Sequence, residues 1–584
     1  MYKRTYYITV LVVVFGSSFS FYSYDVVNPA QNIVMKWLNG TYRARGQPKS
    51  AAQLDFIWSV VVSSIAVGAI CGALSTKPLA EKLGRRNALI ANGMLNVFGA
   101  LLELFSKMMS SPEILIFGRV ILGANMGLSS GLAPMYLMEI TPMKNRGAAA
   151  TCHMIVVAFA DWFSLFLSLP EVLGDAQNWP VAFAFSGLPA FVLCCLLPFC
   201  PESPKFTLLA RRDRVGTLDA LARLVNVREG QSMFEALQRE GQSAQTISAQ
   251  TEENDRPPPA AISVASIGRL FRTKELRMAF LICMWVMVAQ QMTGCAAVFA
   301  YSTDMFLNAG LEASIARYST LAIGIMYFLF ACSSVFFIER KGRRALSLFQ
   351  LSLVTISLSF MSLFSWIQQA SSGSKIASYG SIVALLVYMC GYGIGSPIPW
   401  MIASEIFPTK YRSSAVTVAI TIAWTLAFVI SLAYLPFRGA VGVPMSYWPF
   451  ILFSAFSVGF VYFLLPETKN RHTDEIAEDI QIRSNNLRRH SLNILPTANS
   501  VPAALGISPS TEVLAISANQ RQRLLAHRSS FAGTSMMPSS AASGKYSSLA
   551  FTPPEERRLW ERVGWHPQRP KRDRSGTEGN ENGK

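Results

Sequence analysis

Long apolar runs, separated by short segments rich in charged and small residues, dominate the chain as far as residue 466. About 20 residues at about 1.5 Å each cross the hydrocarbon of a bilayer, so an apolar run of this length is typical of a membrane helix. A helix also satisfies its own backbone hydrogen bonds where there is no water. The pattern predicts an all-α membrane protein with about 12 transmembrane helices. They lie near residues 5–27, 54–76, 88–106, 114–138, 148–169, 180–199, 278–301, 319–338, 345–367, 380–403, 415–435 and 447–465.

The first run, which follows Lys3 and Arg4, has two interpretations. A cleaved signal peptide begins with positive charge and an apolar stretch, and so does a first membrane helix. We favour the membrane helix, because the run continues past signal length and its removal would leave an odd number of helices.

The spacing of the runs predicts four regions. Two six-helix bundles, 1–200 and 278–466, are separated by a cytoplasmic helical loop, 201–277, and followed by a tail, 467–584. The tail is rich in Ser, Arg and Ala and has few large apolar runs, a composition typical of disorder.

The charge of the chain follows its predicted topology. The formal net charge is +17, with only 15% charged residues against about 25% in soluble proteins. With the N-terminus inside, the short inner segments hold 14 Lys and Arg residues and the outer loops hold 8. Because short cytoplasmic loops collect positive charge, both termini are expected in the cytoplasm. This distribution explains the basic charge by membrane topology and favours a lipid bilayer, not nucleic acid, as the partner.

Two further features bear on location and chemistry. Asn39 opens the single N-x-Ser/Thr sequon and falls in the first predicted outer loop, where glycosylation is possible. The nine cysteines lie in or beside predicted helices without zinc-ligand spacing. No phosphate-binding loop or nucleophile elbow interrupts the runs, so the sequence indicates no enzyme activity, no cofactor and no metal.

Three short motifs occur twice, 258 to 266 residues apart and in the same order. Repeats of this kind are typical of transporters that are built from two bundles with the same orientation. All six copies fall on the predicted cytoplasmic side, where carboxylates and guanidiniums can pair. We expect these pairs to bridge the two bundles when that side is closed; incidental pairs under positive-inside topology are the alternative. The residues concerned are Arg85, Arg86, Glu139, Arg146, Glu202, Arg343, Arg344, Glu405, Arg412 and Glu467.

From about Phe21 to Ile476 the chain resembles the major facilitator superfamily, specifically the sugar-porter branch that contains the animal facilitative glucose transporters. The resemblance rests on Asn28, Gly84-Arg-Arg, Gly118-Arg119, Pro134-Met-Tyr136, Glu139 to Arg146, Pro201-Glu-Ser-Pro-Lys205, Gln290-Gln291, Gly342-Arg-Arg, Pro397-Ile-Pro-Trp400, Trp424 and Pro466-Glu-Thr-Lys469. These motifs are more specific for the family than for its substrate.

The resemblance implies a solute site at mid-membrane between the bundles. Gln290 and Gln291 on the seventh helix would face the solute, and their amides suit a ring of hydroxyls. Adjacent glutamines also join helices to one another, which is the alternative. Gly294 is expected to break the seventh helix, and Trp400 and Trp424 would pack beside the sugar or simply in the core.

Several sugar-contacting polar positions of the family are replaced here. Met154, Ala296, Ala423 and Ala427 stand where the family usually has amides, and Tyr327 and Tyr392 replace an Asn and a Glu. Because a net hydrogen bond is worth about 1 kcal/mol, such losses predict a reshaped and more apolar pocket. Tyrosine hydroxyls and ring faces would replace part of the lost contacts.

Ionisable residues inside membrane helices are candidates for function. Asp25 on the first helix and Arg119 on the fourth resemble the pair of proton-coupled sugar porters, although the alignment needs a two-residue gap. Proton coupling and a structural Asp25–Arg119 bridge are both open interpretations. His153 and Asp161 share one face of the fifth helix, and Glu103 lies near an outer helix end, from which it is expected to reach water.

The sequence therefore predicts a transporter of a small solute by alternating access, most simply facilitated diffusion of a hexose or related sugar. A transporter of a non-sugar solute such as an organic anion, and a non-transporting nutrient sensor, are the alternatives. The plasma membrane is the expected location, and the oligomeric state stays open.

Overall fold

The computed structural model describes residues 2–142, 145–252, 274–371, 375–407, 409–469, 475–476, 478–480 and 482–483. The predicted tail beyond residue 483 and the segment 253–273 lie outside these residues. The first half of the described chain consists of helices, most of them long. They are Arg4–Ser17, Ser18–Phe21 (a 3-10 turn), Tyr22–Asp25, Val27–Ala44, Ala51–Leu83, Arg85–Ser106, Pro112–Ile140, Arg146–Leu167, Trp179–Ala184, Gly187–Leu196 and Leu197–Phe199 (a 3-10 turn).

Three helices without membrane-spanning character follow, and then a second series of long helices. The three are Pro204–Leu209, Arg214–Leu224 and Val227–Glu252. The second series is Lys274–Gln291, Cys295–Asn308, Ala313–Lys341, Arg343–Ala370, Lys375–Gly395, Ile398–Glu405, Thr409–Val441, Val443–Ser446 and Trp448–Leu464.

Eleven stretches of the described residues are long and apolar enough to cross a membrane, and Cys152–Leu167 is a shorter apolar helix between the fourth and the next of them. Taken in order, these twelve are called the first to twelfth spans: Arg4–Asp25, Ala51–Leu83, Arg85–Ser106, Pro112–Ile140, Cys152–Leu167, Trp179–Phe199, Arg277–Asn308, Ala313–Ile338, Arg343–Ala370, Lys375–Ala403, Ala415–Val441 and Val443–Leu464. Large apolar side chains stand exposed along the spans, among them Met94, Phe98, Phe360 and Phe456. An apolar surface of this extent fits lipid and does not fit water. The prediction of an all-α membrane protein with about twelve spans is confirmed.

The second and fourth spans pack backbone against backbone. A Cβ added at Gly68 would lie 1.9 Å from the Val120 carbonyl oxygen, and one at Gly123 would lie 1.9 Å from that of Ile65. Glycine therefore permits this approach, because any larger residue would clash with main chain.

Two spans are broken near mid-membrane. The seventh stops at Gln291 and resumes at Cys295, and Gly294 between them has a left-handed φ of 81°. The tenth stops at Gly395 and resumes at Ile398 after Pro397. The predicted break at Gly294 is confirmed, and irregular backbone at this depth is where transporter sites occur.

One hydrophobic cluster joins the two bundles. It includes Trp58 and Ile65 from the second span, Phe306 from the seventh, and Ile430 and Tyr434 from the eleventh. Because each bundle contributes buried residues to the same core, the structure holds the bundles together by apolar packing.

Candidate functional site

A network of charges lies at the end of the first bundle that carries Gly84 and Glu139. We call this side of the molecule the motif face. The Arg85 guanidinium lies 2.9 Å from Oε2 of Glu139 and donates to Oε1 at 3.0 Å, and Oε2 also accepts a hydrogen bond from Ser203. Glu202 accepts the backbone N–H of Arg86 at 2.9 Å, at the start of a helix. A carboxylate at a helix N-terminus is favourable because it satisfies free N–H groups and opposes the helix dipole.

The second bundle repeats this network residue for residue. Arg343 lies 2.9 Å from Glu405, whose second oxygen accepts a 2.6 Å hydrogen bond from Thr468. Glu467 accepts the backbone N–H groups of Arg343 and Arg344 at 2.8 and 3.1 Å. The duplication seen in the sequence is therefore a duplication of contacts.

Among the side chains that the structure describes, the ion pairs of the motif face join residues of the same bundle. Arg85 and Glu139 both belong to the first bundle, and Arg343 and Glu405 both belong to the second. The reason is geometric. Glu139 and Glu405 lie at the ends of the fourth and tenth spans, and each is beside the start of another span of its own bundle, the third or the ninth. The side chains of Arg146 and Arg412 lie outside the described residues.

The two mid-membrane glutamines have different surroundings. Gln290 is 3% exposed, and its Oε1 accepts a 2.6 Å hydrogen bond from Nε2 of Gln350 on the ninth span. Gln290 therefore joins two helices within the second bundle. Gln291 is half-buried, and its Oε1 accepts a bond from the Cys295 thiol at 3.4 Å. Gln350 was not among the predicted site residues, although a polar amide inside an apolar run is a detectable signal.

An aromatic cluster continues from Gln291. The Phe299 ring, one turn after Cys295, lies 5.5 Å from Tyr392 and 5.2 Å from Tyr327 between ring centroids. Tyr327 and Tyr392 are themselves 5.8 Å apart. Edge and tilted geometries of this kind are favourable for aromatic rings. The two tyrosines that replace polar family positions are thus brought together with Gln291.

Trp424 connects this region to the first bundle. Its ring lies 6.3 Å from Phe21 and 6.2 Å from Tyr24, both on the first span. Its indole N–H is buried without a hydrogen-bond partner. Trp400 is half-buried and packs against two hydrophobic clusters.

The substituted family positions follow a simple pattern. Ala296, Ala423 and Ala427 are buried, and Met154 is half-buried. Apolar packing therefore occupies positions where the family usually has polar groups, as the more apolar pocket requires.

Asn28, three residues beyond the first span, forms a latch across the bundles. Its Nδ2 donates to the Phe299 carbonyl at 2.6 Å and to the Ser302 hydroxyl at 2.8 Å, and its Oδ1 accepts from the Thr303 N–H at 3.1 Å. These contacts lie on the side of mid-membrane away from the motif face, called the far face. The far face is closed. From the sequence, Asn28 was identified only as part of the family resemblance.

Arg119 has a different partner from the predicted one. Its Nη1 lies 3.7 Å from Oε1 of Glu103, both residues are 0% exposed, and its Nε donates to the Val61 carbonyl at 2.8 Å. The expectation that Glu103 reaches water is wrong, because the third and fourth spans meet closely at Gly118. Both Asp25 and Arg119 are described, and no ion pair joins them, since Glu103 holds the guanidinium.

Asn39 lies in the helix Val27–Ala44 and not in an open loop. Its side chain is half-buried, and its Oδ1 is shielded from solvent. The predicted loop is absent at this position because the first span continues as a helix beyond Asp25, after only a one-residue turn at Val26.

Comparison with known proteins gives a consistent result. The profile of a family described as "Sugar (and other) transporter" matches residues 9–480. Facilitated glucose transporter protein 1 of Caenorhabditis elegans is 32% identical over 475 residues, which are 80% of this chain and 89% of that protein. Solute carrier family 2, facilitated glucose transporter member 3 of Ovis aries is 33% identical over 472 residues, covering 79% and 89%.

Solved structures share the fold. The major facilitator proton:xylose symporter XylE, bound to 6-bromo-6-deoxy-D-glucose, aligns with a TM-score of 0.64 at 20% identity and covers 82% of this chain and 100% of that one. The inward open conformation of the xylose transporter XylE from E. coli aligns at 0.61, with 20% identity and coverage of 82% and 99%. The protein is a multi-pass membrane transporter and not an enzyme. It has the major facilitator fold and belongs to the sugar transporter family.

Proposed function

We propose that this transporter is a uniporter for a hexose or a closely related sugar, in the plasma membrane, with both termini and the motif face in the cytoplasm. Relatives that cover most of the chain are named facilitated glucose transporters, which favours a sugar over an organic anion and transport over sensing. The excess of Lys and Arg in the short segments of the motif face supports the orientation.

The observation that carries the proposal is the cluster at the junction of the bundles. Tyr327, Tyr392 and Trp424 belong to one hydrophobic cluster together with Cys295, whose thiol is hydrogen-bonded to Gln291. An amide and phenols offer both donors and acceptors to sugar hydroxyls, and ring faces pack against the apolar side of a sugar ring.

Within this cluster the two glutamines have separate roles. Gln291 contacts the sugar, because it is half-buried at the edge of the aromatic cluster. Gln290 supports the broken seventh span through Gln350, which holds its side chain inside the second bundle. Trp400 lies on the second segment of the broken tenth span, Ile398–Glu405, and moves with that helix during the transport cycle.

Alternating access would use the two faces in turn. The Asn28 latch closes the far face in the present conformation, and its three hydrogen bonds must break before that face opens. The motif-face networks act within each bundle: they fix the helix ends so that each bundle moves as a rigid unit. The Glu103–Arg119 pair supports uniport, because Glu103 occupies the guanidinium that proton coupling would use beside Asp25.

The test is uptake of labelled glucose, fructose and 2-deoxyglucose into proteoliposomes at two pH values. We expect saturable hexose uptake that is independent of a pH gradient. Gln291→Leu should raise KM about 5- to 10-fold, since one net hydrogen bond is worth about 1 kcal/mol.

The matched control removes the other glutamine together with its partner. Gln290→Leu/Gln350→Leu replaces a buried bonded pair by apolar groups, which is nearly neutral when both partners are removed. It should leave KM close to the wild-type value. Absence of all hexose uptake by folded, inserted protein would overturn the proposed function. Equal effects of the two variants would overturn the assignment of Gln291.

A further inference from the structure

A small cavity lies inside the second bundle, next to the hydrogen bond between Gln290 and Gln350. Its volume is about 10 Å³. Four spans border it: the seventh with Gln290, the ninth with Ser347 and Gln350, the tenth with Pro399 and the twelfth with Val461. All of these residues are buried. A space of this size holds one water molecule and nothing larger.

One polar atom at the cavity lacks a partner in the protein. Oε1 of Gln290 accepts the 2.6 Å hydrogen bond from Gln350, but the buried Nε2 of Gln290 bonds to none of the described residues. Exchange of O and N in both amides would leave the Gln290 oxygen free in place of the nitrogen. Because a buried amide atom without a hydrogen bond is costly, either arrangement requires a further partner.

The ninth span brings a hydroxyl to the same cavity. Ser347 is 4% exposed and lies three residues before Gln350, so the two side chains share one face of the helix. A hydroxyl both donates and accepts hydrogen bonds. With the amides of Gln290 and Gln350, the cavity offers the roughly two to four polar groups that a buried water needs.

The chemistry of the lining does not suit an ion. The side chains around the cavity are amides, a hydroxyl and apolar groups, so neither a cation nor an anion would find an opposite charge there. Water has no charge, and it can accept from the Gln290 amide while it donates to the Ser347 hydroxyl. Both the size and the polarity of the cavity therefore favour water.

The cavity lies where two spans are broken. Gln290 is in the last turn of the first segment of the seventh span, and Pro399 is in the first turn of the second segment of the tenth. Gln350 packs against the tenth span as well, since a Cβ added at Gly395 would lie 1.9 Å from its Oε1. A molecule held in this cavity therefore lies beside both breaks.

We propose that the cavity is a binding site for one water molecule, which bridges the amide of Gln290 to the hydroxyl of Ser347 and so ties the seventh span to the ninth beside the two breaks. The water completes the support that Gln350 gives to Gln290. The proposal concerns how the second bundle is held together, so it is independent of which solute is carried.

A double-mutant cycle on the full-length protein in detergent, read as Tm, tests the bridge. Ser347→Ala removes one partner of the water and should lower the Tm of the wild-type protein by about 2 °C or more. In the Gln290→Leu/Gln350→Leu background the amides that hold the water are gone. There the same substitution should shift Tm by less than about 0.5 °C, because the two sites act on each other only through the water.

Ser359→Ala is the matched control. Ser359 is on the same span, but it is exposed and its hydroxyl donates to the Thr355 carbonyl of its own helix. Its Tm shift should be the same in both backgrounds. Equal shifts of Ser347→Ala in the two backgrounds would overturn the bridge.

A direct readout is a high-resolution structure of the wild-type protein. A single water peak within hydrogen-bonding distance of Gln290 and Ser347 would support the site, and side chains that fill the cavity without water would overturn it. Neither readout measures transport, so failure of the site and failure of the proposed function are distinguishable.

Discussion

The motif face and the mid-membrane region of this transporter have diverged to very different extents. At the motif face, Arg85–Glu139 in the first bundle and Arg343–Glu405 in the second have the same 2.9 Å separation and similar hydroxyl partners. At mid-membrane the two halves carry different polar side chains. The first half has Asp25 and Asp161, and the second has amides and tyrosines. In the proposed function, the repeated part fixes helix ends and the unlike part meets the solute.

The contrast has a physical reason. Helix ends need partners for free N–H groups, and a carboxylate at the same place in each copy meets the same need. A single solute between two bundles touches each from a different side, so its contacts have no cause to be symmetric. Contacts that are alike in the two halves therefore indicate a mechanical role, and contacts that differ indicate recognition of the solute.

The largest effect is expected at the buried Glu103–Arg119 pair, near the far-face end of the third span. Arg119→Leu leaves Glu103 buried without its partner and should destabilise the protein by about 3–5 kcal/mol. The double variant Arg119→Leu/Glu103→Leu should recover most of this loss, since no charge is then left unpaired. Unfolding in detergent, followed by near-UV circular dichroism, measures both. A double variant as unstable as the single one would contradict the pairing.

A smaller and equal effect is expected at the two motif-face networks. Glu139→Gln and Glu405→Gln each remove a charged acceptor from Arg85 or Arg343, which should cost about 1–3 kcal/mol. Because the contacts are duplicated, the two losses of stability should agree closely, and each variant should slow uptake. Thermal unfolding and initial rates test this. A large effect of one variant with none of the other would break the symmetry on which the comparison rests.

The smallest effect is expected at the far-face latch. Asn28→Ala removes hydrogen bonds between the bundles, and a net change of about 1 kcal/mol shifts the open population about fivefold. Cys295, buried below the latch, should then react about five times faster with a membrane-impermeant thiol reagent added at the far face, in a background lacking the other cysteines.

Asn308→Ala is the matched control for the latch. Asn308 bonds only to Asp304, one turn earlier in its own helix, so its removal should leave the reaction rate of Cys295 unchanged. Equal acceleration by both variants would show that the seventh span has loosened and would remove the support for a latch between the bundles.

What could be predicted depended on whether a feature was local. The apolar runs, the repeated motifs and the break at Gly294 are properties of short segments, and each was predicted correctly. The environment of Glu103 was not predicted correctly, because it depends on how closely the third and fourth spans meet. The helical placement of Asn39 was not predicted either, because it depends on how far a helix continues.

The sequence alone determined the membrane class, the twofold repeat and the family, since hydrophobic length and motif order are written along the chain. Only the tertiary structure decided which charges pair. Arg119 lies against Glu103 and not Asp25, and Gln290 bonds to Gln350. These partners are distant along the chain, and the close approach of helices in the bundles, permitted by glycine and set by side-chain packing, brings them together.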